Sequence, residues 1–140
     1  MLRRHSSERM RGAARGFTLI EMMVVITIIM VLLGIAAAKY SRSITRSKEA
    51  VLRQDLQVMR QAIDQFTLDK QRAPGSLDEL VSEQYLRGPV PLDPMTNQRN
   101  WNVETGDVVL SPDQTGTGII DVHSASDQVS PFEGTPYSTW

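Results

Sequence analysis

The sequence predicts an α+β chain. One long N-terminal helix, apolar in its first half and amphipathic in its second, packs on a small head with a short helix and a C-terminal antiparallel β-sheet. Three observations carry this. Phe17 to Ala38 is an apolar run broken by a single charge, Glu21. Ile44, Val51, Leu52, Leu56, Met59, Ile63 and Phe66 then recur at spacings that from Leu52 onward run 4, 3, 4, 3, the period of one buried helical stripe. Beyond Ala73-Pro74-Gly75 the chain turns to prolines, glycines and short alternating segments.

Charge divides along the same lines. The 140 residues carry a formal charge of -1 and hold no cysteine. Residues 1-16 hold five arginines against Glu8, residues 39-72 eight bases against four acids, and residues 73-140 ten acids against Arg87 and Arg99. An acidic C-terminal half and a stem of mixed charge argue against nucleic acid as a partner, which calls for a clustered basic face. The absence of cysteine excludes disulfides, thiolate metal sites and cysteine nucleophiles.

The 22 residues of 17-38 span roughly 33 Å as a helix, against about 30 Å of bilayer hydrocarbon. The arginines before them hold the N-terminus in the cytoplasm and place the chain from Lys39 onward on the far side, the periplasm of a bacterium. An ordinary signal peptide ending at Ala36-Ala37-Ala38 is the alternative, although its apolar region is shorter. Glu21 costs about 2.5–3.5 kcal/mol inside a bilayer, unless it snorkels from its place one turn into the helix. Met22, Met23 and Met30 read as packing or lipid-facing side chains.

With no proline or glycine between Ile35 and Ala73, the helix runs from about Phe17 to about Lys70, on the order of 80 Å. Proline at 74 and glycine at 75 end it. Ser76-Leu77-Asp78-Glu79 reads as a capping box opening a short helix, Leu77 to about Gln84. Arg87 to Pro94 is too proline-rich for regular structure. Asn100 to Glu104, Val108 to Ser111 and Gly118 to His123 are strand candidates, with Thr105-Gly106-Asp107 as a hairpin turn. A head this small lacks a large core of its own and needs the amphipathic helix face. Trp101 is expected in that core and Trp140 as a terminal staple. Asp121, His123 and Ser124 do not make a catalytic triad, because Asp121 and His123 face one side of a strand and Val122 and Ser124 the other. No phosphate loop, paired-carboxylate site or nucleotide fingerprint is present, and the chain reads as no enzyme.

Arg15-Gly16-Phe17-Thr18-Leu19-Ile20-Glu21 before the apolar run resembles the class III signal sequence of type IV pilins and type II secretion pseudopilins. The resemblance implies that a prepilin peptidase/methyltransferase removes residues 1-16 by cutting between Gly16 and Phe17, then methylates the Phe17 amine. The apolar helix would stay in a mature chain of 124 residues. It also implies that Glu21 meets the Phe17 amine of a neighbouring subunit and sets register in a helical filament. Ala73-Pro74, Leu77 to Leu86, Pro91-Leu92-Asp93-Pro94, Asp121-Val122-His123-Ser124 and Trp140 are similar in order to the major (G-type) pseudopilin of type II secretion, and the missing cysteines favour that branch. The divisions are then a leader (1-16), a membrane and filament-core helix (17-38), an amphipathic half (39-72) and a periplasmic head (73-140).

That branch implies a single-pass inner-membrane subunit of a secretion pseudopilus. Its partners are copies of itself, minor pseudopilins, the inner-membrane assembly platform and membrane lipid. It implies a calcium ion in the loop after the last strand, here at Asp127 and Glu133. Gly134-Thr135-Pro136-Tyr137 stands where a later acidic pair is expected, so proline and aromatic packing is the alternative for that loop. The other readings are a type IV pilus subunit, major or minor, serving adhesion, motility or DNA uptake, and a single-pass protein with a periplasmic binding or sensing head.

Overall fold

The computed structural model describes residues 16–111 and 114–140, with side chains at 109–111, 114 and 115 left aside. The element order is α1 (Leu19–Lys70), α2 (Leu77–Ser82), β1 (Asn102–Ser111), β2 (Gln114–His123) and a 3-10 turn (Tyr137–Thr139). This is the pilin-like α+β fold expected, with α1 starting two residues later and α2 ending two earlier. The chain divides into two compact units, Met1–Ser41 and Arg42–Trp140. The leader residues 1–15 lie outside the described residues.

In the first unit the side chains of α1 are exposed, from Leu19 and Ile20 through Leu33 and Ile35. This part of α1 is long and apolar enough to cross a membrane. Its polar hydroxyls are absorbed locally: Thr27 Oγ1 donates to the Met23 carbonyl at 2.7 Å and Ser41 Oγ to the Ala37 carbonyl at 3.3 Å. Such internal bonds let a hydroxyl sit in an apolar helix without a water partner.

In the second unit the helical stripe is the core. Leu52, Leu56, Met59, Ala62, Ile63 and Phe66 are buried with Leu80, Leu86, Val90, Trp101, Ile119, Val122 and Tyr137 in one cluster. Val51 and Ile44, expected on the stripe, are exposed. Both lie off the spacing, and Glu49, three residues before Leu52, occupies the position that continues it. The α1 stop is made by Gln71, which turns left-handed at φ 53° and so ends the helix before Pro74 can. Ser76 Oγ accepts from Glu79 N at 3.2 Å as expected of the cap. The reciprocal bond is displaced by one residue, the Glu79 carboxylate accepting from Gly75 N at 2.7 Å.

The three strand candidates resolve into two strands of one hairpin, and the expected turn at Thr105-Gly106-Asp107 lies inside β1. Thr105 pairs with Ile119, Gly106 with Gly118 and Asp107 with Thr117, and the reversal falls between Ser111 and Gln114. Thr-Gly-Asp has turn propensity, but cross-strand pairing overrides it, as it commonly does in sheets. The register slips between Glu104 and Thr105, leaving Ile120 as the extra residue of β2. That bulge lets Ile119 and Val122, three residues apart, both point into the core.

Gly118 is where the hairpin meets the Ala73-Pro74 turn that follows α1. A Cβ there would lie 2.5 Å from Ala73 Cβ and 2.8 Å from the Pro74 carbonyl oxygen, which accepts from Ile119 N at 2.8 Å. Gly118→Ala is therefore expected to destabilise the chain by about 1–3 kcal/mol, the usual cost of overpacking, in denaturant unfolding of the detergent-solubilised protein.

Asp55 is half-buried on α1, and desolvation first, then the charge of Asp93, raises its pKa above the ordinary aspartate value. A raised carboxyl makes the folded state bind protons more readily than the unfolded one, so its ionisation is a penalty at neutral pH. Asp55→Asn should raise the melting temperature at pH 7. The gain should shrink as pH falls through the raised pKa and vanish below the ordinary one.

Candidate functional site

Two places hold the residues singled out from sequence. The first is the start of α1. Thr18 is its N-cap: the Thr18 carbonyl accepts from Met22 N at 3.2 Å, and Thr18 Oγ1 accepts from Glu21 N at 3.2 Å. Thr-Leu-Ile-Glu thus has the spacing of a capping box, a feature legible in the sequence and not anticipated there. Glu21 falls in the first turn, where a carboxylate is favoured by the helix dipole. Gly16 and Phe17 precede the helix outside any regular element, and Phe17 is 73% exposed. The bond joining them is not folded into any element.

The second place is the head beyond β2, ordered by two buried carboxylates. Asp93 is fully buried. Its Oδ2 accepts from Ser124 Oγ at 2.6 Å and Ala125 N at 3.2 Å, and its Oδ1 accepts from Met95 N at 2.8 Å. The proline-rich segment and the end of β2, far apart in sequence, are thereby tied together. Ser124 is consumed in this contact, while Asp121 and His123 stand half-buried on the opposite face.

Glu49 on α1 is 3% exposed, and its Oε1 accepts from Ser130 Oγ at 2.7 Å and from the Tyr137 hydroxyl at 2.8 Å. Ser130 Oγ in turn accepts from Phe132 N and Glu133 N at 3.2 and 3.1 Å. The loop is therefore closed onto α1 by a carboxylate and two hydroxyls. Aromatic packing assists, with Tyr137 edge-on to Trp140 at 5.1 Å and the Arg53 guanidinium 4.4 Å over the Trp140 ring.

The expected calcium ligands lie on this loop. Asp127 is exposed, and the Glu133 carboxylate is engaged by Arg53. Calcium takes six to eight oxygens. Among the described residues no third acid or histidine joins these two in a metal-sized group. Their side chains alone do not supply a calcium cage, and Glu49 anchors this loop to α1.

Arg60 is the remaining hub. Its Nε donates to Asp121 Oδ1 at 2.6 Å, and its Nη2 donates to the Val122 carbonyl at 3.0 Å and the Trp140 backbone oxygen at 2.8 Å. Burial pushes the Asp121 carboxyl up. The hydrogen bonds from Arg60 and Val122 N, with the Arg60 charge, outweigh it, so the pKa lies below the ordinary aspartate value. The sequence signal for Glu49 was its place on the stripe. Arg60 carried none, and Asp93, although part of the Pro91-Leu92-Asp93-Pro94 motif, did not announce its partner: the segments they tie down, at Asp121 and Ser124, are 61 and 31 residues away.

Residues 11–37 match the prokaryotic N-terminal methylation motif. Over 64 residues the chain is 39% identical to two type IV major fimbrial proteins, FimA, of Dichelobacter nodosus. The alignments cover 46% of this chain and 40% and 41% of theirs, so the chain spans about two fifths of the length of these curated relatives. No solved structure matches. The chain is thus similar to type IV pilins and carries a methylation motif across the start of α1.

Burial first, then the Glu49 hydrogen bond and charge, push the Tyr137 hydroxyl up to about 12. Folding keeps this phenol neutral, so the stability it contributes is intact below its ordinary value near 10 and is lost as pH rises from there to about 12. Tyr137→Phe should unfold at lower denaturant near pH 8, by about 1–2 kcal/mol for the lost donor. Its alkaline stability profile should lack the wild-type fall between those two values.

Proposed function

We propose that this chain is a prepilin-type structural subunit: cut between Gly16 and Phe17, methylated on the Phe17 amine, held in the inner membrane by α1 and polymerised into a helical filament. It acts by packing and not by catalysis. The observation that carries this reading is the coincidence, at one point of the chain, of the methylation motif, the exposed Gly16-Phe17 junction and a capped apolar helix with Glu21 in its first turn.

The cut dictates the chemistry. Removing the leader leaves an ammonium on Phe17 next to the positive end of the helix dipole, where a cation is disfavoured. An anion in the first turn offsets it, and Glu21 is the acid placed there. In a filament the neighbour's Phe17 amine offers Glu21 a partner in a medium of low dielectric. Part of the Coulomb gain is returned as desolvation, so the pair sets register more than it adds stability.

Of the two kinds of filament, the secretion pseudopilus is the reading we adopt. The Asp93–Ser124 hydrogen bond unites two of the head segments on which the likeness to the major pseudopilin rests, and the chain has no cysteine to close a pilin-type disulfide. The type IV pilus is the second reading, supported by the fimbrial relatives. In either case the peptidase, the assembly platform and lipid are partners, with minor pseudopilins added in the first. The head lies in the periplasm by the charge bias of the leader.

Co-expression with a prepilin peptidase should yield a chain starting at N-methylated Phe17 by mass spectrometry. Glu21→Val should be cut and methylated equally but fail to cross-link into filaments. An uncut chain that still assembles, or a Glu21→Val chain that assembles normally, would refute the proposal. Deleting the gene in the host separates the two filaments: loss of a secreted protein from the medium identifies a pseudopilus, and loss of surface fibres a pilus.

A further inference from the structure

On the side of the hairpin turned from the core, Glu104 lies directly across from Asp121 in the ladder, and His123 is two residues farther along β2. Like charges at directly opposed positions destabilise a sheet unless a cation lies between them. Arg60 answers only part of this, because its Nε engages Asp121 Oδ1. The other oxygen, Asp121 Oδ2, and Glu104 Oε2 both turn to His123 Nε2, at 3.6 and 3.8 Å.

From these contacts we infer that Glu104, Asp121 and His123 form a binding site for a divalent transition-metal ion of the zinc class. Three features lead there. The ligand atoms of the three residues lie within 4.8 Å of one another. A tetrahedral ion with bonds of about 2.1 Å sets its ligands about 3.4 Å apart, close to the two separations seen. Those separations exceed hydrogen-bond length, so neither carboxylate is hydrogen-bonded to Nε2.

The tautomer of His123 is the second feature. Its Nδ1 lies 2.6 Å from the Trp140 backbone oxygen. That oxygen can only accept, so at this distance Nδ1 carries the hydrogen, with Arg60 Nη2 standing farther off at 3.4 Å, and it is Nε2 that faces the two carboxylates. A ligating histidine is commonly held in this way, its other nitrogen donating to a carbonyl. The third feature is that Asp121 is already oriented, since Arg60 and Val122 N hold Oδ1 and leave Oδ2 free to ligate.

One imidazole nitrogen with two carboxylate oxygens suits zinc, cobalt or nickel better than calcium or magnesium, which take oxygen alone. All three side chains are partly exposed, which leaves an entry path and a fourth position for water. A bound ion would join β1, β2 and, through His123, the Trp140 backbone. The site does not depend on whether the chain forms a filament.

The test uses the full chain in detergent, stripped with a chelator and titrated with Zn²⁺ by calorimetry and with Co²⁺ by visible absorbance. One ion per chain is expected, with a rise in melting temperature. Glu104→Gln and His123→Ala should each weaken binding roughly tenfold or more, while Asp78→Asn on α2 leaves it unchanged. Glu104 is the most exposed ligand, so Glu104→Gln keeps the test valid should His123→Ala misfold. Absence of binding, equal binding by Ca²⁺, affinity unaffected by Glu104→Gln, or an Nε2-protonated ring whose ¹⁵N shifts ignore added zinc would each overturn the inference.

Discussion

Leu52, Met59 and Phe66 on one stripe of α1 are wholly buried, and what buries them is almost everything else in the second unit: Leu80 of α2, Trp101 before β1, Ile119 and Val122 of β2, and Tyr137 near the end. Fully burying a side chain of this kind contributes about 1.5–3 kcal/mol, and a two-stranded hairpin with a six-residue helix has no second layer of its own to bury against. The head therefore exists as a folded object only because the stripe is there. Its position sets which residues of the later chain point inward. The bulge at Ile120 is one result, since it lets two core residues three apart share a face.

Around that apolar contact the protein uses acids as fasteners, and each does so under different constraints. Asp93 has no exposure and three donors, so it acts as a knot between distant loops. Glu49 sits at the start of the stripe with hydroxyl donors from Ser130 and Tyr137, and the same contact that orders the loop keeps the Tyr137 phenol neutral. Asp121 is only partly buried and lives beside Arg60, which is why its carboxyl titrates low while the more isolated Asp55 titrates high. The direction of each shift depends on whether a cation lies next to the carboxylate or, as at Asp55, low-dielectric surroundings and a second acid do.

The first unit has the opposite logic. Among its described residues the apolar side chains stay exposed along a stretch long and apolar enough to cross a membrane, and the Glu21 amide and the Thr27 and Ser41 hydroxyls are satisfied along the helix itself. The capped start of α1 then has two uses. It ends the helix at Thr18, leaving Gly16-Phe17 outside it, and it fixes Glu21 in the first turn, which is where the proposed cleavage would place a new amine.

What the sequence by itself determined were the features written in neighbouring residues. They are the apolar span and its lone acid, the 3–4 stripe, the cap at Ser76, the end of α1 near Lys70 and the alternation that sets Asp121 and His123 apart from Val122 and Ser124. Each depends on spacing along one element, and such spacing survives folding unchanged. The tertiary structure alone decided the rest. Thr105-Gly106-Asp107 became strand because pairing with Gly118 and Thr117 outweighed local turn preference. Val51 turned to solvent, and Glu49 took the inward position next to Leu52. Glu133 met Arg53. Asp93 found Ser124 and Glu104 came to face Asp121 and His123 across the hairpin. Such partners lie as far as 80 residues apart, and no local pattern encodes a contact whose energy appears only once the chain has closed on itself.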